Sequence, residues 1–167
     1  DYTAAADRFQ QALSMQQELR SVHGTVAAGL GMGLAFYHLG DLAQARRCLE
    51  SAVEEARSIG HRRRLAETLV GLGLVEVAAG HLSAARDSLD EAVALARQSD
   101  HREGLTSGLA ALARAERERG DTAIALAHAR EAVRVAQESA LPVCEMWGEV
   151  EIGLSLLAQG KPVAALK

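Results

Sequence analysis

The chain has 167 residues, 49% apolar, 24% charged and 3% aromatic, with a formal net charge of -4. That balance supplies no basic stripe to track phosphates, and Tyr2, Phe9, Phe36, Tyr37 and Trp147 are too scattered to stack successive bases, so nucleic acid is not an expected partner. Cys48 and Cys144 are too few and too far apart for a disulfide framework or a CxxC metal knuckle, which makes a reducing, cytoplasmic compartment the expectation.

The chain begins at Asp1 without a Met or a signal peptide, and a fragment of a longer protein is expected. Its first segment, 1–20, carries Ala5, Phe9, Ala12 and Leu13 at helical spacing and reads as the second helix of a hairpin whose first helix is missing. The uncharged run from Gly24 to Tyr37 is shorter than the roughly 20 apolar residues a membrane span needs. The same segment returns downstream carrying Glu67, Glu76, Arg114 and Glu116, so it reads as a buried helix, Thr25 to Leu39, and no membrane is expected. Asp41 is placed to N-cap a second helix built on Leu42, Ala45, Leu49, Ala52, Val53 and Ala56, which Gly60 ends. The next pair is Arg64 to Ala79, then Leu82, Ala85, Leu89, Ala92, Val93 and Ala96, stopped at Asp100. Glu103 to Arg119 and the segment after Asp121 form a third pair, and Val143 to Gln159 a further first helix, after which Pro162 suits the start of another second helix. The complete units are 24–60, 62–100 and 102–140, with partial units at 1–20 and 142–167.

Rows of forty residues align Ala5, Ala45, Ala85, Ala125 and Ala165, and every complete row ends in glycine: Gly40, Gly80, Gly120 and Gly160. With alanine at about one residue in five, a five-alanine column arises by chance about three times in ten thousand, and a second column, Ala12, Ala52, Ala92 and Ala132, shares its register. A further column holds Gly33, Gly73, Ala113 and Gly153 inside the first helices. A glycine there lowers helix stability by about 1 kcal/mol relative to alanine, so a compensating close approach of the two helices, against the alanine columns, is expected. Period-two alternation is absent, and the predicted fold is all-α, a single solenoid of stacked helix-turn-helix hairpins.

Gly33, Phe36, Gly40, Ala45, Leu49 and Ala52, repeated as Leu72, Gly73, Gly80, Ala85, Leu89 and Ala92, resemble the tetratricopeptide repeat (TPR) pattern over nearly the whole chain. Three departures stand out. The family's proline near the end of the second helix is replaced by Arg57, Arg97 and Gln137, its aromatic becomes Glu76 and Glu116, and the period is 40 rather than 34. The 40-residue form is similar to arrays in large bacterial signal-responsive regulators, including ATPase-containing transcription regulators. The resemblance implies a right-handed superhelix whose concave face is lined by the first helices. Its groove-facing positions fall on Ala27, Leu30, Leu34 and Tyr37; Glu67, Val70, Leu74 and Val77; Ser107, Ala110, Arg114 and Arg117; and Trp147, Val150, Leu154 and Leu157. The 3, 4, 3 spacing independently puts each set on one side of its helix. These positions lack the Lys and Asn pattern with which some family members clamp a peptide's terminal carboxylate. An apolar trough with Arg114 and Arg117 as a cationic step and Glu67 as an acidic one suits a protein or peptide partner with an apolar or amphipathic segment. The alternative is that Leu30, Val70, Leu74 and Leu154 are inter-helix core.

The remaining chemistry is sparse. His61 and His101 are one period apart, about 10 Å in a stacked solenoid and beyond shared coordination, so no metal is expected and the histidines read as polar turn residues. His61, Arg62, Arg63 and Arg64 form the densest positive cluster, a solvated turn or a dock for an acidic partner. Gly29, Gly31 and Gly33 lie inside a helix with no preceding strand, which removes a phosphate-loop reading. No nucleophile or carboxylate pair stands beside a histidine in a catalytic arrangement, Arg114 and Glu118 read as a helix-face ion pair, and both cysteines read as small buried hydrophobes. The expectation is a non-enzymatic interaction scaffold without cofactor, or alternatively a ligand-sensing domain whose curvature controls a linked effector. Uncapped terminal helices also make self-association an expectation.

Overall fold

The computed structural model describes residues 2–19 and 21–160, with Gln17 described by its backbone alone. These residues form eight helices and no strand: α1 (Tyr2–Glu18), α2 (Val22–Leu39), α3 (Leu42–Ser58), α4 (Arg62–Ala78), α5 (Leu82–Gln98), α6 (Arg102–Arg119), α7 (Thr122–Glu138) and α8 (Pro142–Ala158). The helix expected to start at Pro162 lies outside the described residues. Asp41 caps α3 as expected, accepting from the Gln44 N–H at 3.0 Å. Helix α2 starts at Val22, ahead of the expected Thr25, because Ser21 Oγ accepts from the Gly24 N–H at 3.3 Å and satisfies a first-turn donor. His61 caps α4 through Nδ1, which accepts from the Arg64 N–H at 3.3 Å, whereas Asp121 occupies the N-cap position of α7 without a side-chain bond. Gly40 (φ 81°) and Gly120 (φ 93°) end their helices in the left-handed region, which glycine enters without a Cβ clash.

Each helix packs on its neighbours in the chain, and the first helices α2, α4, α6 and α8 also pack on one another in order. The second helices α3, α5 and α7 make no corresponding backbone approach. An inner row in contact and an outer row held apart bend the stack into a solenoid, concave on the first-helix side.

The small-residue column makes the inner contact possible, although its partner differs from expectation. A Cβ at Gly33 would come 2.5 Å from Leu49 Cγ, and one at Gly73 would overlap Leu89 Cγ. The column therefore faces leucines of the second helix, while the alanine column is met by Gly29, opposite Ala52. Leu49 and Leu89 are fully buried. In the third unit the same two columns hold Ala113 and Ala129, also fully buried. The two columns thus change together: where the small column holds glycine the other holds leucine, and where it holds alanine the other holds the smaller alanine, which avoids overpacking.

The departures from the repeat pattern become contacts between units. Arg57 on α3 reaches Glu91 on α5 at 2.7 Å, Arg97 on α5 reaches Glu131 on α7 at 2.8 Å, and the Gln137 Nε2 amide donates to Glu145 on α8 at 2.8 Å. Where proline ends the second helix in the family, long polar side chains here tie one outer helix to a later one. Glu76, almost wholly buried, pairs with Arg46 of the preceding unit at 3.1 Å and with His81 at 2.7 Å. The fully buried Glu116 lies 3.3 Å from Arg86 of its preceding unit and 3.7 Å from Arg119. Arginine and glutamate thus replace an apolar contact at two successive interfaces, each charge relying on the other because an unpaired buried carboxylate is costly.

Between α1, α2 and α3 a cavity of about 60 Å³ is lined by Leu13, Thr25, Gly29, Met32, Cys48, Ser51, Ala52 and Glu55. Glu55 Oε2 is buried there without a hydrogen-bond partner, and burial pushes its carboxyl above the usual range. The folded state therefore holds the Glu55 proton more tightly than the unfolded state does. Its contribution to stability is present below the unfolded pKa and is lost as pH rises through the folded one. Glu55→Gln is expected to raise the melting temperature at neutral pH and to leave it unchanged near pH 3.5, below the ordinary carboxylate range of about 4.3; an equal shift at both pH values refutes this account. Gly73→Ala is expected to destabilise despite a helix-propensity gain of about 1 kcal/mol, because overpacking typically costs about 1–3 kcal/mol. In a Leu89→Ala background, itself destabilised by the loss of a fully buried side chain, the same Gly73→Ala substitution should become stabilising, and a denaturant double-mutant cycle reads a favourable coupling of about 1 kcal/mol or more.

Candidate functional site: the inner groove

The inner faces of α2, α4, α6 and α8 line an open groove of about 710 Å³. Eleven of the expected positions line it: Leu30, Leu34, Tyr37, Glu67, Val70, Leu74, Ser107, Ala110, Arg114, Trp147 and Val150. Val77 is instead buried in the core, packed among α4 and its neighbours. Arg117 stands outside the lining, drawn to Glu118 at 2.9 Å and Glu151 at 3.3 Å. Leu154 is exposed on α8, also outside the lining.

The floor divides its work between packing and exposure. Val70 and Ala110 are buried, whereas Leu30, Leu34 and Leu74 are half-buried and still line the groove. Leu30 and Leu34 lie against Gly71 of the next first helix, whose missing Cβ would sit 3.3 Å from Leu30 Cδ1 and 3.6 Å from Leu34 Cδ2. The core alternative thus describes part of each of these side chains, and the groove the rest. On α8, Trp147 and Val150 present about half of their surface to solvent.

The end of the groove near the starts of the first helices is polar. Glu67 on α4 is held by Arg64 at 2.7 Å, by Arg63 at 3.3 Å and by His101 Nε2 at 3.0 Å. The cluster read as a solvated turn or an acidic dock therefore spends two of its arginines on a glutamate of its own helix. His101, expected as a polar turn residue, is buried because it bridges from the start of α6 to α4. Towards the other end, Arg114 Nη1 on α6 donates to Tyr37 OH on α2 at 3.1 Å, across the intervening α4. Arg114 is not paired with Glu118, as the helix-face reading had it, since Glu118 takes Arg117 instead. The Arg114–Tyr37 bond joins residues 77 apart and exists only because the stack is curved. Burial pushes the Glu151 carboxyl up, a shift that Arg117 and then Arg114 oppose.

Sequence reasoning passed over His38, Gly71, Ala111 and Glu151 as lining residues. Gly71, Ala111 and Glu151 occupy one column of the forty-residue register, directly beside the positions chosen, so the signal was present in the rows. His101 gave no such signal, because its burial depends on where α6 lands against α4. Among the described residues, no group of three or more His, Cys, Asp or Glu is placed to hold a metal ion. No helix of the described residues is long and apolar enough to cross a membrane. Cys48 and Cys144 lie outside the groove, and burial pushes both thiols up, away from the reactive thiolate.

Several solved structures share this architecture. BtubC (BKLC) from P. vanneervenii superposes with a TM-score of 0.79 at 17% identity, covering 96% of this chain and 67% of that one. The putative kinesin light chain of Podosopora anserina, with nearly identical TPR-like repeats, gives a TM-score of 0.73 at 20% identity over 99% of this chain and 83% of that one. The apo form of RapI gives 0.62 at 18% identity, covering 95% of this chain and 62% of that one. At these identities the likeness establishes the fold. No curated protein matches the sequence. The family described as the MalT-like TPR region matches residues 1–167, and the chain belongs to it.

Proposed function

We propose that the chain is a non-catalytic scaffold whose inner groove binds an apolar or amphipathic segment of a protein or peptide, within a larger bacterial regulator. The observation that carries this reading is the groove itself: half-buried Leu30, Leu34 and Leu74 beside solvent-facing Trp147 and Val150, with arginine and glutamate groups at its margins. Such a surface gains by covering apolar area and fixes the orientation of its occupant by a few polar contacts. Membership of the MalT-like TPR region family supports placing the solenoid in a regulator. The expected partner sites are the eleven lining positions named above, and a soluble cytoplasmic setting follows from the same reading.

A second reading, a ligand-sensing domain, is favoured by the Arg114–Tyr37 bond, which ties α2 to α6. An occupant that takes over Arg114 releases that tie and changes the curvature of the stack, biasing whatever is linked to it.

Peptides selected from a random display library on the immobilised protein are expected to carry an apolar stripe. Leu34→Glu and Leu74→Glu should each weaken their binding at least about tenfold, while Glu91→Gln on the outer row leaves it unchanged. Failure to enrich any sequence, or equal binding by all three variants, defeats the proposal. A metabolite that raises the melting temperature of the wild-type protein but not of Arg114→Ala decides for the sensing reading.

A further inference from the structure

One charge in the groove has no ionic partner. Of the cations that line it, Arg63 and Arg64 both reach Glu67, at 3.3 and 2.7 Å, and His101 reaches the same carboxylate at 3.0 Å. Glu151 takes its hydrogen bond from Arg117 at 3.3 Å, and Arg114 acts on it only through space. Among the described residues Arg114 makes one polar contact, the Nη1 bond to the Tyr37 hydroxyl at 3.1 Å, and no ion pair. A guanidinium carries five N–H donors, and a neutral phenol offsets none of its charge. Tyr37 accepts in this bond, so its own O–H is left to donate. Both side chains are half-buried. The forty-residue register sets the arginine apart, because its column reads Leu34, Leu74, Arg114 and Leu154. Leucine serves that position in the other three first helices, so packing does not call for a charge there. A guanidinium among apolar side chains is costly to leave unmatched once water is excluded, and an occupant covering the groove excludes it.

We propose that the groove binds a peptide segment carrying one aspartate or glutamate side chain between apolar residues, its carboxylate accepting from Arg114 and from the Tyr37 hydroxyl together. This deepens the scaffold reading of the groove and rests on it. A single guanidinium calls for a single negative charge. A phosphate group would bring about two charges to the side of Glu151, whose own arginine is already shared with Glu118. The acid is internal to the segment, because apolar lining continues on both sides of Arg114: Leu34 and Leu74 on α2 and α4, Trp147 and Val150 on α8. A chain that ended at the arginine would leave one of those sides uncovered. In surroundings of low polarity a charge-assisted bond is stronger than in water, and the planar guanidinium fork matches the two oxygens of a carboxylate.

Selection from a random peptide display library on the wild-type protein, and in parallel on Arg114→Leu, tests this. Leucine already fills that column in the other three first helices, so the variant is expected to fold as the wild type does. Tyr37→Phe is a second variant that removes one hydroxyl alone. Wild-type selections are expected to converge on an acidic residue flanked on both sides by apolar ones, and Arg114→Leu selections on the apolar pattern without the acid. A synthetic peptide of the wild-type consensus, amidated at its C-terminus and labelled for anisotropy, then measures the bond. Replacing its acidic residue by the corresponding amide should weaken binding to the wild type at least about tenfold, and binding to Arg114→Leu by less than about twofold. Tyr37→Phe should weaken the acidic peptide at least about threefold and leave the amide peptide unchanged. Enrichment of apolar peptides with no acidic position, or an equal loss on amide replacement in wild type and Arg114→Leu, overturns this proposal and leaves the scaffold reading standing. So does binding that requires a free C-terminal carboxylate, because the arginine then clamps a chain end. If neither protein enriches any sequence, the scaffold reading itself fails and the proposal falls with it.

Discussion

A glycine in mid-helix weakens that helix, and this chain accepts the weakness at Gly33 and Gly73 because each stands against a fully buried leucine, Leu49 or Leu89. The close approach of first to second helix within a unit is the constraint from which the remaining geometry follows. It holds each hairpin thin enough that the alanines at 45, 85 and 125 become fully buried. Once the hairpins are alike, their first helices lie in contact with one another and their second helices do not, and the stack must curve. Where the constraint relaxes, at Ala113, the residue in the other column shrinks to Ala129, so the extra methyl meets no leucine.

Curvature in turn determines what the polar side chains do. On the outer row the helices make no close backbone approach, and the reach of arginine bridges them, as Arg57 does to Glu91 and Arg97 to Glu131. These exposed pairs each contribute little, typically below about 1 kcal/mol, but they link second helices that make no backbone approach to one another. Deeper in, Glu76 and Glu116 occupy positions where the repeat family has an aromatic side chain, and Arg46 and Arg86 from the preceding unit accompany them. An arginine–glutamate pair tolerates one register and an apolar contact tolerates several, so these pairs favour the forty-residue spacing over slipped alternatives.

On the inner side, the same curvature concentrates side chains from helices distant in sequence. Tyr37 and Arg114 meet across α4, and His101 closes over Glu67. The groove is therefore an apolar floor with its charges largely committed to internal partners, a surface that favours an occupant with apolar area of its own.

Periodicity alone determined the all-helical class, the hairpin units and the identity of most first-helix inner positions. Those follow from burial at 3.6-residue spacing and from columns that recur every forty residues, both of which are properties of the chain read locally. The row-ending glycines and Asp41 likewise announced their turns, because left-handed backbone and N-capping have local chemical signatures. The tertiary structure alone decided that the small column faces leucine rather than alanine, that Val77 is core, that Arg114 bonds Tyr37 rather than Glu118, and that His101 is buried. Each of these depends on the rotation of one helix about its axis and on the curvature of the stack. A shift of one position around a helix, about 100°, separates a groove residue from a core residue, and long polar side chains choose partners only after neighbouring units have settled against one another.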